Sequence, residues 1–478
     1  MLWVFAGYLF LTIALGIISG RQTKSQADFV IGGSRLPGWM LALSERATGE
    51  SAWLLLGFTG FIYSTGLSGI WIAVGCLAGI AASWIVIAPK CREEAARYGA
   101  MTMPEYFAAK FPKKATTIRV LSTFIIAFFF VFYVGAQFAG AGKTIFTTFR
   151  VPPFYGQLIA AVVILAYASF GGFMSVVAVD ALQAILMIVT LIVTPIYMFV
   201  KVLAGPVSIG QALTMAGGGM DSLTGTATGF AAGLLIFNNI AWVFGYLGGQ
   251  PQLSARFMAM RDDRQVRIGR TIAIAWTVAA YTGAVMIGLA SLALFGPKAV
   301  ADAEMVLPHA LTTLFPPWLA AILLAGAVAA MVSTAESMLI VAGSAVSQDA
   351  YKGILRKGQV SDATLLWVSR IATLTVGLLA LVMALTTEKL IYKIVSYAWA
   401  GIGCSFAPAV LLSFYWERFS SSGLVTALVA GIITTIVWVT TGLDKHVTAM
   451  AATFFIAMAS AVIATLLTPR EPQQAPST

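Results

Sequence analysis

Apolar runs long enough to cross a bilayer alternate along this chain with short polar punctuation. A membrane-spanning helix needs about 20 mostly apolar residues, and about thirteen stretches come near that length. They are 2–19, 38–64, 69–89, 120–141, 153–171, 176–200, 228–248, 269–295, 316–346, 364–385, 390–415, 422–440 and 447–468. The expected fold class is an all-α polytopic membrane protein. Residues 1–468 form one transmembrane unit, and 469–478 a short polar tail. The first run has no basic segment before it and passes through Gly20-Arg21 into a charged loop, so it is expected to stay as a helix and not to be cleaved as a signal peptide.

Composition sharpens this. Of 478 residues, 59% are hydrophobic and 10% charged, whereas soluble domains carry about 25% charged residues. The net charge of +10 is a topology signal. Basic residues gather on alternate loops and their flanks: Arg21 to Arg35, Lys90 to Arg119, Arg256 to Arg270, Lys352 to Arg370, Arg418 and Arg470. Cytoplasmic loops are the basic ones. This arrangement expects a multi-pass protein of the plasma (cytoplasmic or inner) membrane, with its N-terminus outside and C-terminus inside. Because the cations sit in short loops between spans, they do not describe a nucleic-acid footprint, and no obligatory protein partner is evident.

Enzyme chemistry finds no support. Cys76, Cys91 and Cys404 show no metal-ligand spacing, and His309 and His446 both fall in loops. The stretch Gly140-Ala141-Gly142-Lys143-Thr144 imitates a phosphate loop, but Gln137 stands where the first glycine belongs. No cofactor is expected.

The informative polar residues are those left inside the spans: Glu45, Arg46, Glu50, Asp180 and Glu336. An ionisable residue at membrane depth is costly and marks function. Arg46 and Glu50 have the i, i+4 spacing of a structural ion pair. Four acids against one base, however, leave a negative interior that calls for a cation. Two spans are also interrupted, at Thr48-Gly49 and over Gly245–Pro251, where Asn238 and Asn239 precede the break. Broken helices at corresponding places of two halves point to a secondary transporter's site. The breaks fit an inverted repeat of about 38–200 and 228–415, with extra helices at 2–19, 422–440 and 447–468.

At these residues the chain resembles the sodium:solute symporter family, and within it the sodium/proline symporters. The likeness rests on Gln250-Pro251-Gln252-Leu253-Ser254-Ala255-Arg256-Phe257-Met258, Met331-Val332-Ser333-Thr334, Val395-Ser396-Tyr397-Ala398-Trp399-Ala400-Gly401, Phe170-Gly171-Gly172-Phe173 and Thr102-Met103-Pro104-Glu105-Tyr106-Phe107. The resemblance implies a LeuT-like core of 5+5 inverted repeats with broken helices. It implies a sodium ion held by the carbonyls of Ala47, Glu50 and Ala330 and the hydroxyls of Ser333 and Thr334. Hard oxygen donors suit a hard cation. Some relatives place a further sodium ligand at the position of Asp180, which suggests a second cation locus of Asp180, Ser333, Glu336 and Ser337. Substrate candidates are Ser51, Trp53, Tyr133, Trp242, Tyr246, Gln250 and Pro251.

The chain departs from the family pattern at Gly49, where proline symporters carry Asp, and at Glu50, where they carry an apolar residue. On a regular helix that moves the acid by about 100°. The expected function is sodium-coupled import of a small organic solute, proline or a related amino acid first. The alternatives are sodium- or proton-coupled symport of another small carboxylate or polar solute and, more distantly, a transporter-like membrane sensor.

Overall fold

The computed structural model describes residues 1–21, 23–356, 359–387 and 390–471; most of the expected polar tail lies outside the described residues. Among the described residues the chain is helical and contains no strand. In order, the helices are α1 (Leu2–Gly20), α2 (Gln26–Ile31), α3 (Gly38–Ala52), α4 (Thr59–Thr65), α5 (Ile70–Ala82), α6 (Ala88–Tyr98) and α7 (Met103–Lys110). Then come α8 (Ala115–Phe149), α9 (Pro153–Leu203), α10 (Ile209–Ala216), α11 (Gly229–Ile240), α12 (Trp242–Tyr246), α13 (Pro251–Met258) and α14 (Asp263–Phe295). The chain closes with α15 (Val306–Leu314), α16 (Pro317–Ser344), α17 (Asp362–Thr386), α18 (Ile391–Tyr415), α19 (Ser421–Thr440) and α20 (Ala449–Leu467).

Eleven helical stretches among the described residues are long and apolar enough to cross a membrane. One of them, Gly38–Tyr98, takes in two of the expected spans and leaves helical geometry at Ser51 and Gly66, and Pro153–Ala166 is a shorter apolar helix. Long apolar side chains such as Phe10, Ile196, Trp367 and Leu378 stay exposed on the outer helices. Hydrocarbon is the solvent that such faces require.

The centre of the bundle is α16, buried from Ala320 to Ser344 apart from Ile322 and Val341. A helix that is apolar around its whole circumference belongs in the interior. It packs on α9, α3 and α8, while α14 closes the far side of α3. Helix α9 bends at Gly172, where φ is 62° and ψ is −167°. A side chain there would be strained, and its Cβ would stand 2.7 Å from the Phe29 ring.

Ion pairs fasten both ends of α8. Near its C-terminal end, Lys143 meets Asp302 at 2.9 Å and Glu304 at 3.1 Å, and Glu304 accepts the first amides of α18 from Ile391 and Tyr392. Near its start, Arg119 meets Asp349 at 2.7 Å. At that end Lys110 also meets Glu94 at 2.7 Å. Burial pulls the Lys110 ammonium below its ordinary value, against the opposing pull of Glu94.

Candidate functional site

Helix α3 carries the site because its ladder is broken near the middle of the bundle. The break falls at Ser51, with φ of 53° and ψ of −170°, and a π-helical stretch over Trp53–Phe58 follows. The expected break at Thr48-Gly49 is therefore displaced. The partners that replace lost ladder bonds sit at Ser51: its hydroxyl accepts the Trp53 amide at 3.0 Å, and Gln137 Oε1 accepts the Ala52 amide at 2.9 Å. The second break matches expectation more closely. Between α12 and α13 the backbone leaves helical geometry over Leu247–Gln250, with Gly248 at φ 78°.

Beside the α3 break, two hydroxyls of α16 reach across to α3 carbonyls. Ser333 Oγ donates to the Ala47 carbonyl at 3.0 Å, and Thr334 Oγ1 donates to the Thr48 carbonyl at 2.9 Å. Both also lie at 3.1 Å or less from the Ala330 carbonyl. Ala47, Ala330, Ser333 and Thr334 thus converge as a buried cluster of neutral oxygens. The Glu50 carbonyl instead accepts the Trp53 amide.

One face of α3 looks toward α9, α13 and α16. There Asp180 Oδ2 accepts from Ser44 Oγ at 2.6 Å, from Thr48 Oγ1 at 3.3 Å and from Arg256 Nη2 at 3.1 Å. Ser337 Oγ lies 2.9 Å from Thr48 Oγ1 and bonds to Arg256, and the Glu336 carboxyl faces that of Asp180. Asp180, Glu336 and Ser337 are therefore neighbours, whereas the Ser333 hydroxyl bonds to the Ala47 and Ala330 carbonyls. Arg256, Ser44 and Thr48 are additions. Arg256, expected in a basic loop flank, is fully buried: α13 tucks wholly into the bundle, and Phe173 covers the guanidinium.

The opposite face of α3 holds a second group of two acids and one base. Arg46 bonds to Glu45 through Nε and Nη2 and to Glu50 through Nη1 at 2.7 Å. Trp84 donates to Glu45 at 3.0 Å, and Tyr281 donates to Glu50 at 2.8 Å. The charged stretch of α3 is thus an ion triad fixed by α14 and by the chain leading into α6. With Arg256 counted, four buried acids face two guanidinium groups.

Past the break lie the substrate candidates. Tyr133 donates to Ser51 at 3.1 Å and accepts from Trp399 Nε1 at 2.9 Å. Trp53 stands 4.4 Å from Trp242, ring centre to ring centre, and Tyr246 stands 4.4 Å from Trp399. Ser51, Trp53, Tyr133, Trp242 and Tyr246 are brought together, with Trp399, Tyr281 and Gln137 as unforeseen members. Gln250 and Pro251 begin α13 instead: Gln250 accepts from Gln252, and Pro251 lines a small cleft with Val30, Thr102 and Ser344.

A helical bundle with two broken helices, and this oxygen cluster where the first of them meets α16, is a secondary-transporter fold of the LeuT type. The chain belongs to the sodium:solute symporter family, whose profile matches residues 29–433. It is 34% identical over 445 residues to the sodium/proline symporter of Escherichia coli K12, covering 92% of this chain and 87% of that one. It is 32% identical to the high-affinity proline transporter PutP of Bacillus subtilis 168, covering 97% and 96%. Among solved structures, a Na+-coupled sialic acid symporter superposes with a TM-score of 0.81 at 16% identity, covering 98% of both chains. MhsT in complex with L-phenylalanine gives 0.54 at 15% identity, covering 90% and 97%. The protein is a multi-pass membrane transporter and not an enzyme.

Proposed function

We propose that this transporter imports proline or a closely related zwitterion with sodium. The carrying observation is the convergence of the Ser333 and Thr334 hydroxyls with the carbonyls of Ala47, Thr48 and Ala330 at the α3 break. Neutral hydroxyl and carbonyl oxygens suit a weakly held monovalent cation, which a transport cycle must also release. Ala47, Ala330, Ser333 and Thr334 bind the coupling sodium, and the Glu50 carbonyl joins them as α3 shifts. Asp180, Glu336, Ser337 and Ser333 form a second cation locus, in which Arg256 offsets one of the two carboxylates. Substrate lies against Ser51, Trp53, Tyr133, Trp242 and Tyr246, with Gln250 and Pro251 hinging α13. The names of the similar relatives support proline as the first candidate.

The two repeats run over about 38–200 and 228–415, with 2–19, 422–440 and 447–468 as added helices and 469–478 as a cytoplasmic tail. The basic loops support an inner-membrane protein with an outside N-terminus. Uptake of labelled L-proline into proteoliposomes, driven in turn by an inward sodium gradient and by a proton gradient, tests the reading. Sodium-driven accumulation is expected. Accumulation that follows only the proton gradient would overturn sodium coupling.

A further inference from the structure

Five aromatic side chains from four elements close a circuit at the level of the two helix breaks. Trp53 meets Trp242 at 4.4 Å, Trp242 meets Trp399 at 5.9 Å, and Trp399 meets Tyr246 at 4.4 Å. The Tyr246 hydroxyl lies 3.3 Å from that of Tyr281, whose ring returns to Trp53 at 6.1 Å. All five are at most 3% exposed. Taking the substrate position proposed above as given, we infer that this circuit seats the cationic nitrogen of the substrate. It selects zwitterions whose nitrogen is alkylated, from secondary amines to quaternary betaines, over those with a primary ammonium.

The donor and acceptor inventory carries the argument. A primary ammonium presents three N–H donors and needs acceptors for them. Here each nearby acceptor already holds a donor, and the Glu50 carboxylate beside Tyr281 is held by Arg46 and Tyr281. Ser51 Oγ accepts from Trp53 and Tyr133, the Tyr133 oxygen accepts from Trp399, and Gln137 Oε1 holds the Ala52 amide. Ring quadrupoles attract an alkylated ammonium without any hydrogen bond, and tryptophan does this best. The carboxylate end has its own signal. Trp53 Nε1 is buried and meets no acceptor among the described residues. A buried donor left unmade is costly, so it is a natural partner for a ligand oxygen. Trp399 Nε1, by contrast, is already taken by Tyr133.

The test uses the full-length protein in proteoliposomes under a fixed sodium gradient. Competitors of labelled L-proline are N,N-dimethylproline, glycine betaine, L-alanine and 3,3-dimethylbutyrate, the uncharged-carbon counterpart of betaine. The two quaternary compounds should inhibit at concentrations about tenfold below alanine and dimethylbutyrate, the size of one good cation–ring contact. Trp242→Phe and Trp399→Phe should weaken betaine more than proline. Sodium-driven proline uptake that quaternary compounds do not inhibit would overturn this inference alone. Direct sodium-driven uptake of labelled betaine without proline uptake would support the inference and overturn proline as the first substrate. If neither label enters, the import reading fails and the inference with it.

Discussion

Arg256 of α13 and Asp180 of α9 meet at 3.1 Å in the interior of the bundle, neither exposing more than 1% of its side chain. Their contact joins the segment after the second helix break to the long helix that packs on α16. Breaking a buried pair by removing one partner can cost about 3–5 kcal/mol, and Asp180 also accepts from Ser44 and Thr48. Asp180→Asn is therefore expected to lower the thermal midpoint of the detergent-solubilised protein clearly. The double variant with Arg256→Gln should recover part of that loss. A single Asp180→Asn variant as stable as the parent would show that Arg256 relies on Glu336 instead.

A second expectation concerns the neutral oxygen cluster. Replacing Ser333 and Thr334 together by Ala removes two hydroxyls from α16 while leaving the carbonyls of Ala47 and Thr48 in place. The sodium concentration for half-maximal proline uptake should rise about tenfold, equivalent to about 1.4 kcal/mol of lost binding. The measurement is uptake titrated with sodium at constant ionic strength and constant surface expression. An unmoved half-saturation point would remove these hydroxyls from the coupling site.

The site was unevenly legible in the sequence, for reasons particular to each residue. Ser333-Thr334 was legible through the family resemblance, and Glu45, Glu50, Asp180 and Glu336 stood out as acids at membrane depth. Arg256 did not, since Arg261 and Arg264 follow closely and the segment reads as a loop flank. Only the tertiary placement of α13, every residue of which is buried, shows otherwise. Ser44 and Thr48 were hidden beside louder charges, though their i, i+4 spacing on one helix face was available. Tyr281 carries no local signal, and Trp399 belongs to the Val395–Gly401 stretch without being marked as a site residue: an aromatic in an apolar span is ordinary packing until other rings are seen around it. Gln137 was noticed only as a residue that spoils a phosphate-loop pattern, when a lone amide in an apolar helix asks for a backbone partner. The two-fold break pattern of the LeuT-type fold was readable from Gly, Asn and Pro. The site of the first break was not, because Ser51 is held in its conformation by Tyr133 and Gln137 from another helix.

That conformation gives a third expectation. Ser51 has φ of 53° and ψ of −170°, a region natural to glycine and strained for other residues by about 1–3 kcal/mol. Ser51→Gly should relieve the strain and offset the lost hydroxyl, leaving the thermal midpoint close to that of the parent. Ser51→Ala keeps the strain and loses the acceptor for Trp53 and Tyr133, so it should be the less stable of the two by about 1–2 kcal/mol. Both should transport poorly, since Tyr133 loses its anchor. Equal stability of the two variants would contradict a strained serine at the break.

The last expectation weighs Glu336. Two carboxylates, Asp180 and Glu336, face each other beside one guanidinium, and α3 supplies Ser44 and Thr48 to the same group. Bringing like charges together is unfavourable unless a cation intervenes, and Arg256 already answers one of the two. Glu336→Gln keeps the shape of the side chain and removes one of the two carboxyl groups. A sodium bound there would lose one carboxyl group, whereas the contacts of the Ser333 and Thr334 hydroxyls with the α3 carbonyls would remain. Uptake as a function of sodium should then lose cooperativity, its Hill coefficient falling toward one, while proline affinity at saturating sodium changes little. The readout separates this role from simple packing, because a merely destabilised protein lowers the maximal rate without changing the shape of the sodium curve. An unchanged Hill coefficient and half-saturation, at normal expression, would take Glu336 out of the cation locus and leave Asp180 with Arg256 as a structural pair.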